Sequence, residues 1–221
     1  MGEAEKTTGP SGREGDERVQ LHRADVVEGA IAILDEYGLA DLTMRRLAGS
    51  LHVQPGALYW HFPNKQALLG AVADRILAPM AEPVTAEDWA GQITELAHRL
   101  RDCLLAYRDG AELVSATYAS RLTTSKGRER FAGAAIRAGM PRQEADLAAY
   151  TLLYYVLGQT VDEQARMQMD AVGALPETAP ADDSGPDAAP FAETTDATAR
   201  FDFGLQLFVA GVRQMLGSRA R

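Results

Sequence analysis

The chain has 221 residues, and 46% of them are hydrophobic, which is enough to bury a sizeable core. Its net charge is −9, and its single cysteine excludes an internal disulfide and suits a reducing compartment. There is no signal-peptide pattern and no apolar run long enough to cross a membrane, so we expect a cytoplasmic protein without a membrane partner.

The chain begins with a polar segment that gives way to a helix. Residues 1–18 are rich in Gly, Glu, Thr, Pro and Ser without apolar periodicity, which predicts a disordered tail. Hydrophobic residues then recur at helical spacing from Arg23 to Tyr37, and Gly38 is typical of a helix end. We therefore predict a first helix over residues 23–37.

Two short helices joined by a tight turn are predicted between Leu42 and Lys65. Thr43 is a suitable N-cap for the first of them, because its hydroxyl can accept a free N–H of the first turn. Pro55 suits the first position of the second helix, where its missing N–H costs nothing, and Pro63 ends that helix. A helix–turn–helix with a polar, aromatic second helix is typical of proteins that insert side chains into the major groove of DNA.

The distribution of charge is compatible with DNA binding, although the whole chain is acidic. Residues 41–65 carry three arginine or lysine side chains against one aspartate, whereas residues 170–200 carry seven acidic side chains against one arginine. DNA affinity depends on the local positive face of the protein, so the overall sign of the charge does not exclude it.

Helical spacing continues through the rest of the chain, without a strand pattern or a repeat. Asn64 can cap a fourth helix, and further helices are predicted over residues 86–107, 111–118, 125–137, 141–169 and 195–216. Residues 170–192 are rich in Ala, Pro, Asp and Gly, which predicts a flexible acidic loop. The fold class is therefore predicted to be all-α.

The sequence contains no pattern typical of an enzyme. It has no nucleophile elbow, phosphate loop, paired catalytic carboxylates or metal-ligand spacing. Glu95, His98 and Asp102 share one helical face and could in principle bind a metal, but a solvated charged face is the favoured interpretation. We expect no enzyme activity, no cofactor and no metal.

Short motifs follow one another in fixed spacing from Gly38 to Leu69: Gly38-Leu39, Leu42-Thr43-Met44-Arg45-Arg46-Leu47-Ala48, Leu58-Tyr59-Trp60-His61-Phe62, Asn64-Lys65 and Ala67-Leu68-Leu69. Together they resemble the DNA-binding domain of the TetR repressor family. The Leu-Tyr-Trp-His run, Trp89 and the segment 104–111 are similar to the tetracycline-repressor subfamily. The resemblance implies an N-terminal three-helix DNA-binding domain at residues 19–67 and a larger helical domain for ligand binding and dimerisation at residues 68–221.

The resemblance also implies a set of DNA contacts. Arg45 would bind a guanine edge through two hydrogen bonds, and Tyr59 would contact a phosphate or a base edge. Thr43, His61 and Lys65 would contact phosphates. These residues are joined in the predicted DNA-binding set by Met44, Pro55, Gly56, Ala57 and Trp60.

Several members of that set depart from the tetracycline repressor or have another expected role. Trp60 is expected to pack between the first and third helices, or along the DNA backbone, rather than to read bases. Pro55-Gly56-Ala57 replaces a Gln-Pro-Thr run and Met44 replaces a threonine, so we expect a different operator sequence. Pro55 and Ala57 could still contact thymine methyl groups.

The positions that match tetracycline-binding residues also differ. Ala81, Leu96, Leu100 and Val114 replace two histidines, an asparagine and a phenylalanine, one of those histidines being a magnesium ligand. Thr117 is kept and Tyr118 replaces an arginine. We therefore predict an apolar pocket for a hydrophobic, aromatic ligand other than tetracycline, an antibiotic or a similar metabolite. Tyr107, Tyr150 and Tyr154 could add ring and hydroxyl contacts, although each could instead belong to the core.

The resemblance places the homodimer surface on the two last long helices, 141–169 and 195–216. Phe201, Leu205, Phe208 and Val212 form an apolar stripe there, and burial within one subunit could account for part of it. A dimer would read a palindromic operator on double-stranded DNA, because protein symmetry imposes operator symmetry.

The predicted function is a repressor whose small-molecule effector shifts the fourth helix, spreads the two DNA-binding domains and releases the operator. An efflux or resistance gene is the expected target. The alternative is a regulator of the same fold that activates transcription or responds to a protein partner, with its pocket unused.

Overall fold

Nine α-helices and no β-strand occupy the residues that the computed structural model describes, 21–174 and 196–219, so the all-α prediction is confirmed. The helices are α1 (Arg23–Tyr37), α2 (Met44–Ser50), α3 (Pro55–Tyr59), α4 (Lys65–Ile76), α5 (Trp89–Leu105), α6 (Gly110–Ala119), α7 (Gly127–Arg137), α8 (Arg142–Ala171) and α9 (Ala197–Arg219). The predicted tail at 1–18 and positions 175–192 of the predicted acidic loop lie outside the described residues.

Side-chain caps explain where several helices begin. The Thr43 hydroxyl accepts a hydrogen bond from the Arg46 amide at 3.1 Å, and the Asn64 side chain accepts one from the Ala67 amide at 2.8 Å, as the sequence predicts. Asp88 caps α5 by accepting from two amides, so α5 begins at Trp89 rather than at residue 86.

The four N-terminal helices share one core. Leu34 of α1, Leu47 of α2, Leu58 of α3 and Leu68 of α4 are buried together with Phe62. Burial of these large apolar side chains stabilises helices that are too short to be stable alone.

Polar contacts also stabilise the N-terminal region formed by α1 to α4, which we call the head. The Arg23 guanidinium donates a 2.9 Å hydrogen bond to the His61 carbonyl and lies 4.0 Å from the Phe62 ring centre. The start of α1 is thereby fixed to the end of the segment that follows α3.

Helix α5 is the central element of the larger helical region, since it contacts α6, α7, α8 and α9. The Arg101 guanidinium of α5 donates two hydrogen bonds to the Glu163 carboxylate of α8, at 2.8 and 2.5 Å, and a third to the Thr198 hydroxyl of α9 at 3.1 Å. A buried charge needs such partners, so this contact fixes the three helices in one register.

The head and the larger region are joined by hydrogen bonds as well as by the packing of α4 on α6. The Asp109 carboxylate accepts from the Leu39 amide at 2.7 Å and from the Gln168 side chain at 2.6 Å. The Arg108 amide donates to the Asp35 carboxylate at 3.1 Å. The DNA-binding helices are thus attached to the helical body at more than one point.

The predicted apolar stripe on α9 requires a correction. Phe201, Leu205 and Val212 are buried against α5 and α8 within the same subunit, and Phe208 is half-buried. A side chain already enclosed by its own subunit has no apolar surface left for a partner, so burial within one subunit accounts for these three.

None of the helices that the structure describes combines the length and the apolar composition required to cross a membrane.

Candidate nucleic-acid interface and effector site

Two adjacent arginines at the start of α2 have different surroundings. The Arg46 guanidinium pairs with the Asp41 carboxylate and lies 4.2 Å from the Tyr37 ring centre. The Arg45 side chain is exposed and has no ion-pair or hydrogen-bond partner among residues 21–174 and 196–219. Arg46 therefore stabilises the head, whereas all five N–H donors of Arg45 are available to DNA.

Thr43 can fill two roles at the same helix start. Its hydroxyl oxygen accepts the Arg46 amide, and its own O–H remains free to donate to a phosphate. The Thr43 residue is exposed beside Arg45 at the N-terminal end of α2. The arrangement suits a phosphate contact next to a base contact.

Helix α3 presents an aromatic and nearly uncharged surface. Tyr59 is 51% exposed and Trp60 is 90% exposed, while Leu58 between α3 and the core is fully buried. The expectation that Trp60 packs between helices α1 and α3 is therefore wrong. The Leu58 and Phe62 side chains occupy that space, so the Trp60 ring projects into solvent, where it can meet DNA.

The remaining members of the predicted DNA-binding set surround this surface. Pro55 and Gly56 are exposed, and Met44, Ala57, His61 and Lys65 are half-buried. Pro55 occupies the first turn of α3, as predicted. Pro55, Gly56 and Ala57 offer no side-chain hydrogen bond, so any contact of these side chains with a base would be apolar.

Sequence reasoning missed one residue of this region. His52, in the turn between α2 and α3, has a φ of 58°, and its Nδ1 lies 3.0 Å from the Ser50 carbonyl oxygen. A left-handed conformation is unfavourable for residues with a Cβ atom, although histidine adopts it more often than most, so the turn carries a small backbone strain. No simple sequence pattern marks a histidine for this conformation.

Most of the residues predicted to form an apolar ligand pocket lie inside the packed core. Leu96, Leu100 and Val114 are at most 1% exposed and belong to the packed core, and the Thr117 hydroxyl donates to the Val114 carbonyl at 2.8 Å. Ala81 lies apart from them on the surface. In this structure the apolar side chains pack against one another, and their role in enclosing a ligand stays a prediction.

Tyr107 does not line the surface depression at which the other three predicted tyrosines lie. It is half-buried in the turn that follows α5, and its carbonyl accepts a 2.9 Å hydrogen bond from the Gln164 side chain. Its surroundings correspond to the core alternative.

The other three predicted tyrosines meet at one surface depression, with a volume of about 370 Å³. We call it the tyrosine depression, and it lies between the end of α6, the segment 120–126, the start of α7 and the middle of α8. Tyr150 and Tyr154 have nearly parallel rings with centres 6.4 Å apart. The residues that line it are Tyr118, Ala119, Arg121, Thr123, Ser125, Arg128, Glu129, Tyr150, Leu153 and Tyr154.

The polar groups of the tyrosine depression are unequally engaged. The Arg128 guanidinium lies 4.6 Å from the Tyr150 ring centre and pairs with Glu129 at 2.8 Å. Arg121, at a φ of 56°, has no ion-pair partner among the residues that the structure describes. An exposed cation beside aromatic ring faces suits a planar ligand that carries an acidic or electron-rich oxygen.

The Tyr118 hydroxyl is enclosed at one wall of the depression. It has no well-formed hydrogen-bond partner in the described part of the chain. Burial raises the pKa of Tyr118, and the nearby Ser125 side chain opposes that rise. The hydroxyl is therefore a neutral donor that can gain a partner if a ligand or water enters.

Two residues of the charged face on α5 have other partners. Glu95 accepts from the Thr85 and Ala86 amides, and the His98 Nε2 lies 3.1 Å from an Asp202 oxygen. No group of three or more potential metal ligands occurs among the residues described.

Family models match both regions of the chain. The model described as "Bacterial regulatory proteins, tetR family" matches residues 26–72, and "Tetracyclin repressor-like, C-terminal domain" matches residues 82–216. The chain is 36% identical over 211 residues to the class A tetracycline repressor protein from transposon 1721 of Escherichia coli, covering 87% of this chain and 91% of that protein.

Solved structures show the same relationship. Mycobacterium smegmatis BioQ is 50% identical with a TM-score of 0.76, and BioQ with its double-stranded DNA operator is 46% identical with a TM-score of 0.70; each comparison covers 87% of this chain and 98% of the other. A TetR variant from Acinetobacter baumannii in complex with minocycline is 32% identical with a TM-score of 0.69, covering 89% and 98% of the two chains. The chain therefore belongs to the TetR family of DNA-binding transcriptional repressors.

Proposed function

We propose that this TetR-family protein binds a palindromic operator as a homodimer in the cytoplasm and is released from it by a small aromatic effector. Residues 19–67 would form the DNA-binding domain, and residues 68–221 the domain for effector binding and dimerisation. The observation that carries the proposal is the contrast at α2. Arg46 pairs with Asp41, whereas Arg45 is exposed and has no partner among the described residues.

The DNA-binding part is supported by chemistry and by a relative. Arg45 can bind a guanine edge in two-pronged fashion, and Thr43 and Lys65 can bind phosphates. BioQ, with 46% identity in that comparison, was crystallised with its own DNA operator. These contacts would read a half-site, and a second copy would read the symmetric half-site.

The dimer proposal relies on the exposed side of α8 and α9, not on the buried stripe. Leu147 and Tyr154 of α8 and Phe203 and Leu207 of α9 are each more than half exposed, an unusual concentration of large apolar groups. We call this the α8–α9 face. Gly158 and Gly211 add positions with open space around them, which permits close approach of another helix.

The effector proposal relies on the tyrosine depression. Its ring faces from Tyr150 and Tyr154, the enclosed Tyr118 hydroxyl and Arg121, which has no ion-pair partner in the described part of the chain, together suit a planar aromatic compound with oxygen substituents. A TetR variant similar to this chain was crystallised with minocycline, which supports effector binding in this family but not that ligand here. Control of an efflux or resistance gene stays a prediction.

One titration tests the DNA-binding function. Labelled fragments that tile the DNA upstream of the gene would be titrated with the protein and followed by fluorescence anisotropy at one fixed salt concentration. We expect one fragment to bind more tightly than random DNA, with a footprint whose two halves are related by a dyad. Binding to every fragment with the affinity of random DNA would refute the proposal.

A second candidate function has an observation in its favour. The core positions Leu96, Leu100 and Val114 are at most 1% exposed, which suits a regulator that needs no small molecule. Its operator complex would resist every aromatic compound tested and dissociate only with a protein partner. A cell extract passed through a small-molecule filter separates the two: release by the filtrate supports the effector, and release by the retained fraction supports the partner.

A further inference from the structure

Asp74 of α4 is held by the segment that leads from α6 to α7. Its carboxylate accepts hydrogen bonds from the Thr123 hydroxyl at 2.6 Å, the Thr124 amide at 2.8 Å, the Thr124 hydroxyl at 2.6 Å and the Ser125 amide at 3.1 Å. Hydrogen bonds to an ionised carboxylate are about twice as strong as neutral ones, so this cluster is the main polar attachment of α4 to the segment.

A close backbone contact lies one turn earlier on α4. A Cβ atom built on Gly70 would stand 2.5 Å from the Leu122 carbonyl oxygen, so only glycine permits this approach. Helix α4 therefore touches the segment at two successive turns, at Gly70 and at Asp74.

The same segment forms one wall of the tyrosine depression. Thr123 and Ser125 line the depression and also donate to Asp74, and Tyr118 lies beside Ser125 on the same wall. Because the Thr123 hydroxyl donates to Asp74, a group that enters the depression and bonds to this hydroxyl must compete with a contact to α4.

We propose that the Asp74 carboxylate is the link through which occupancy of the tyrosine depression reaches the DNA-binding helices. With the depression empty, the four hydrogen bonds hold α4 in the position that suits operator binding. A planar aromatic occupant with oxygen substituents draws residues 121–125 toward itself, breaks these bonds and frees α4. This inference rests on the proposed effector response, and it requires the occupant to favour the released state over the bound one.

The test fills the depression without a known effector. Ala119 lines the depression and is exposed, so Ala119→Cys can be labelled with N-(1-pyrenyl)maleimide, a planar aromatic probe. The native Cys103 is 6% exposed, and burial raises its pKa to about 11, so it stays unlabelled. Gln143→Cys, exposed near the start of α8, is the matched labelling control.

Operator affinity is then measured for labelled and unlabelled protein, with Asp74 intact and with Asp74→Ala. We expect the Ala119 label and Asp74→Ala each to weaken binding by about 5- to 150-fold, and the label to add little once Asp74 is gone. The Gln143 label should change nothing. Circular dichroism of each variant confirms that the helices remain folded.

Two other results would overturn the inference, and a third would refute the proposed function. Equal loss from the label in both backgrounds overturns the role of Asp74 while leaving the effector site intact. No loss from the label in either background overturns the inference and the effector site together. Failure of the unmodified protein to prefer any upstream fragment refutes the proposed function itself, which distinguishes that failure from the other two.

Discussion

Tyr155 and Gly204 fix the packing of α8 against α9. The Tyr155 hydroxyl donates to the Phe201 carbonyl at 2.7 Å, and a Cβ atom on Gly204 would lie only 2.6 Å from the ring carbon Cζ of Tyr155. The absent side chain of Gly204 therefore makes room for the tyrosine. This contact keeps Phe201 and Leu205 inward and leaves Phe203 and Leu207 outward.

Gly204→Ala should destabilise the protein. The added methyl group must displace the Tyr155 ring and weaken its hydrogen bond, at a cost of about 1–3 kcal/mol in the free energy of unfolding. Urea unfolding at fixed protein concentration measures the change. Gly217→Ala is the control, because a Cβ there meets nothing within 4 Å and should be neutral or stabilising by up to about 1 kcal/mol. Equal stability of the two variants would contradict the packing described here.

Leu207→Asp should produce a monomer. Leu207 is 59% exposed in the subunit, so the charge costs little there but is unfavourable in a buried two-subunit contact on the α8–α9 face. Sedimentation velocity measures the oligomeric state, and operator affinity should fall with the loss of the second head. Gln206→Asp introduces the same charge at a neighbouring exposed position and should leave the dimer intact. A Leu207→Asp protein that remains dimeric would show that the α8–α9 face is not the dimer interface.

Trp60 should report operator binding through its fluorescence. The sequence has two tryptophans, so a Trp89→Phe variant leaves Trp60 as the only tryptophan. Because the Trp60 ring is 90% exposed, its emission should shift to shorter wavelength when DNA excludes water from it. An unchanged spectrum during binding that anisotropy detects would show that Trp60 stays away from the DNA.

Glu95 should contribute to acid sensitivity. Hydrogen bonds from the Ala86 and Thr85 amides lower the pKa of Glu95 below its ordinary value of 4.5. A carboxylate with a lowered pKa in the folded state stabilises the protein above its unfolded pKa, and this contribution is lost as the pH falls through and below 4.5.

Glu95→Gln should therefore lower stability at neutral pH and flatten the decline of unfolding free energy on acidification. Chemical unfolding at a series of pH values measures both effects. Glu87→Gln removes a carboxylate from the same segment and controls for the change in net charge. An undiminished decline in the Glu95→Gln protein would contradict the stated role.

The sequence was informative where local chemistry determines structure. The caps at Thr43 and Asn64 and the span of α1 follow from patterns within a few residues, and they agree with the structure. Local patterns could not reveal that the Glu95 carboxylate accepts hydrogen bonds from amides that precede α5, because that contact joins positions ten residues apart.

Side-chain partners across helices were harder to predict. Periodicity identifies an apolar stripe on α9 but cannot say whether α5 or a second subunit covers it, so the buried Phe201 and the exposed Phe203 required the structure. The tyrosine depression unites Tyr118 with Tyr150 and Tyr154, and its polar wall at Thr123 and Ser125 carries no sequence pattern of its own.

The central claim is that the Arg45 face reads DNA sequence, and its most direct test is the affinity of Arg45→Ala for the operator and for random DNA. Loss of a two-pronged guanine contact should cost about 1–3 kcal/mol on the operator and far less on random DNA, so the ratio of the two affinities falls. Arg142→Ala, which removes an exposed charge at the start of α8, should preserve that ratio. An Arg45→Ala protein that keeps the wild-type ratio would contradict the account.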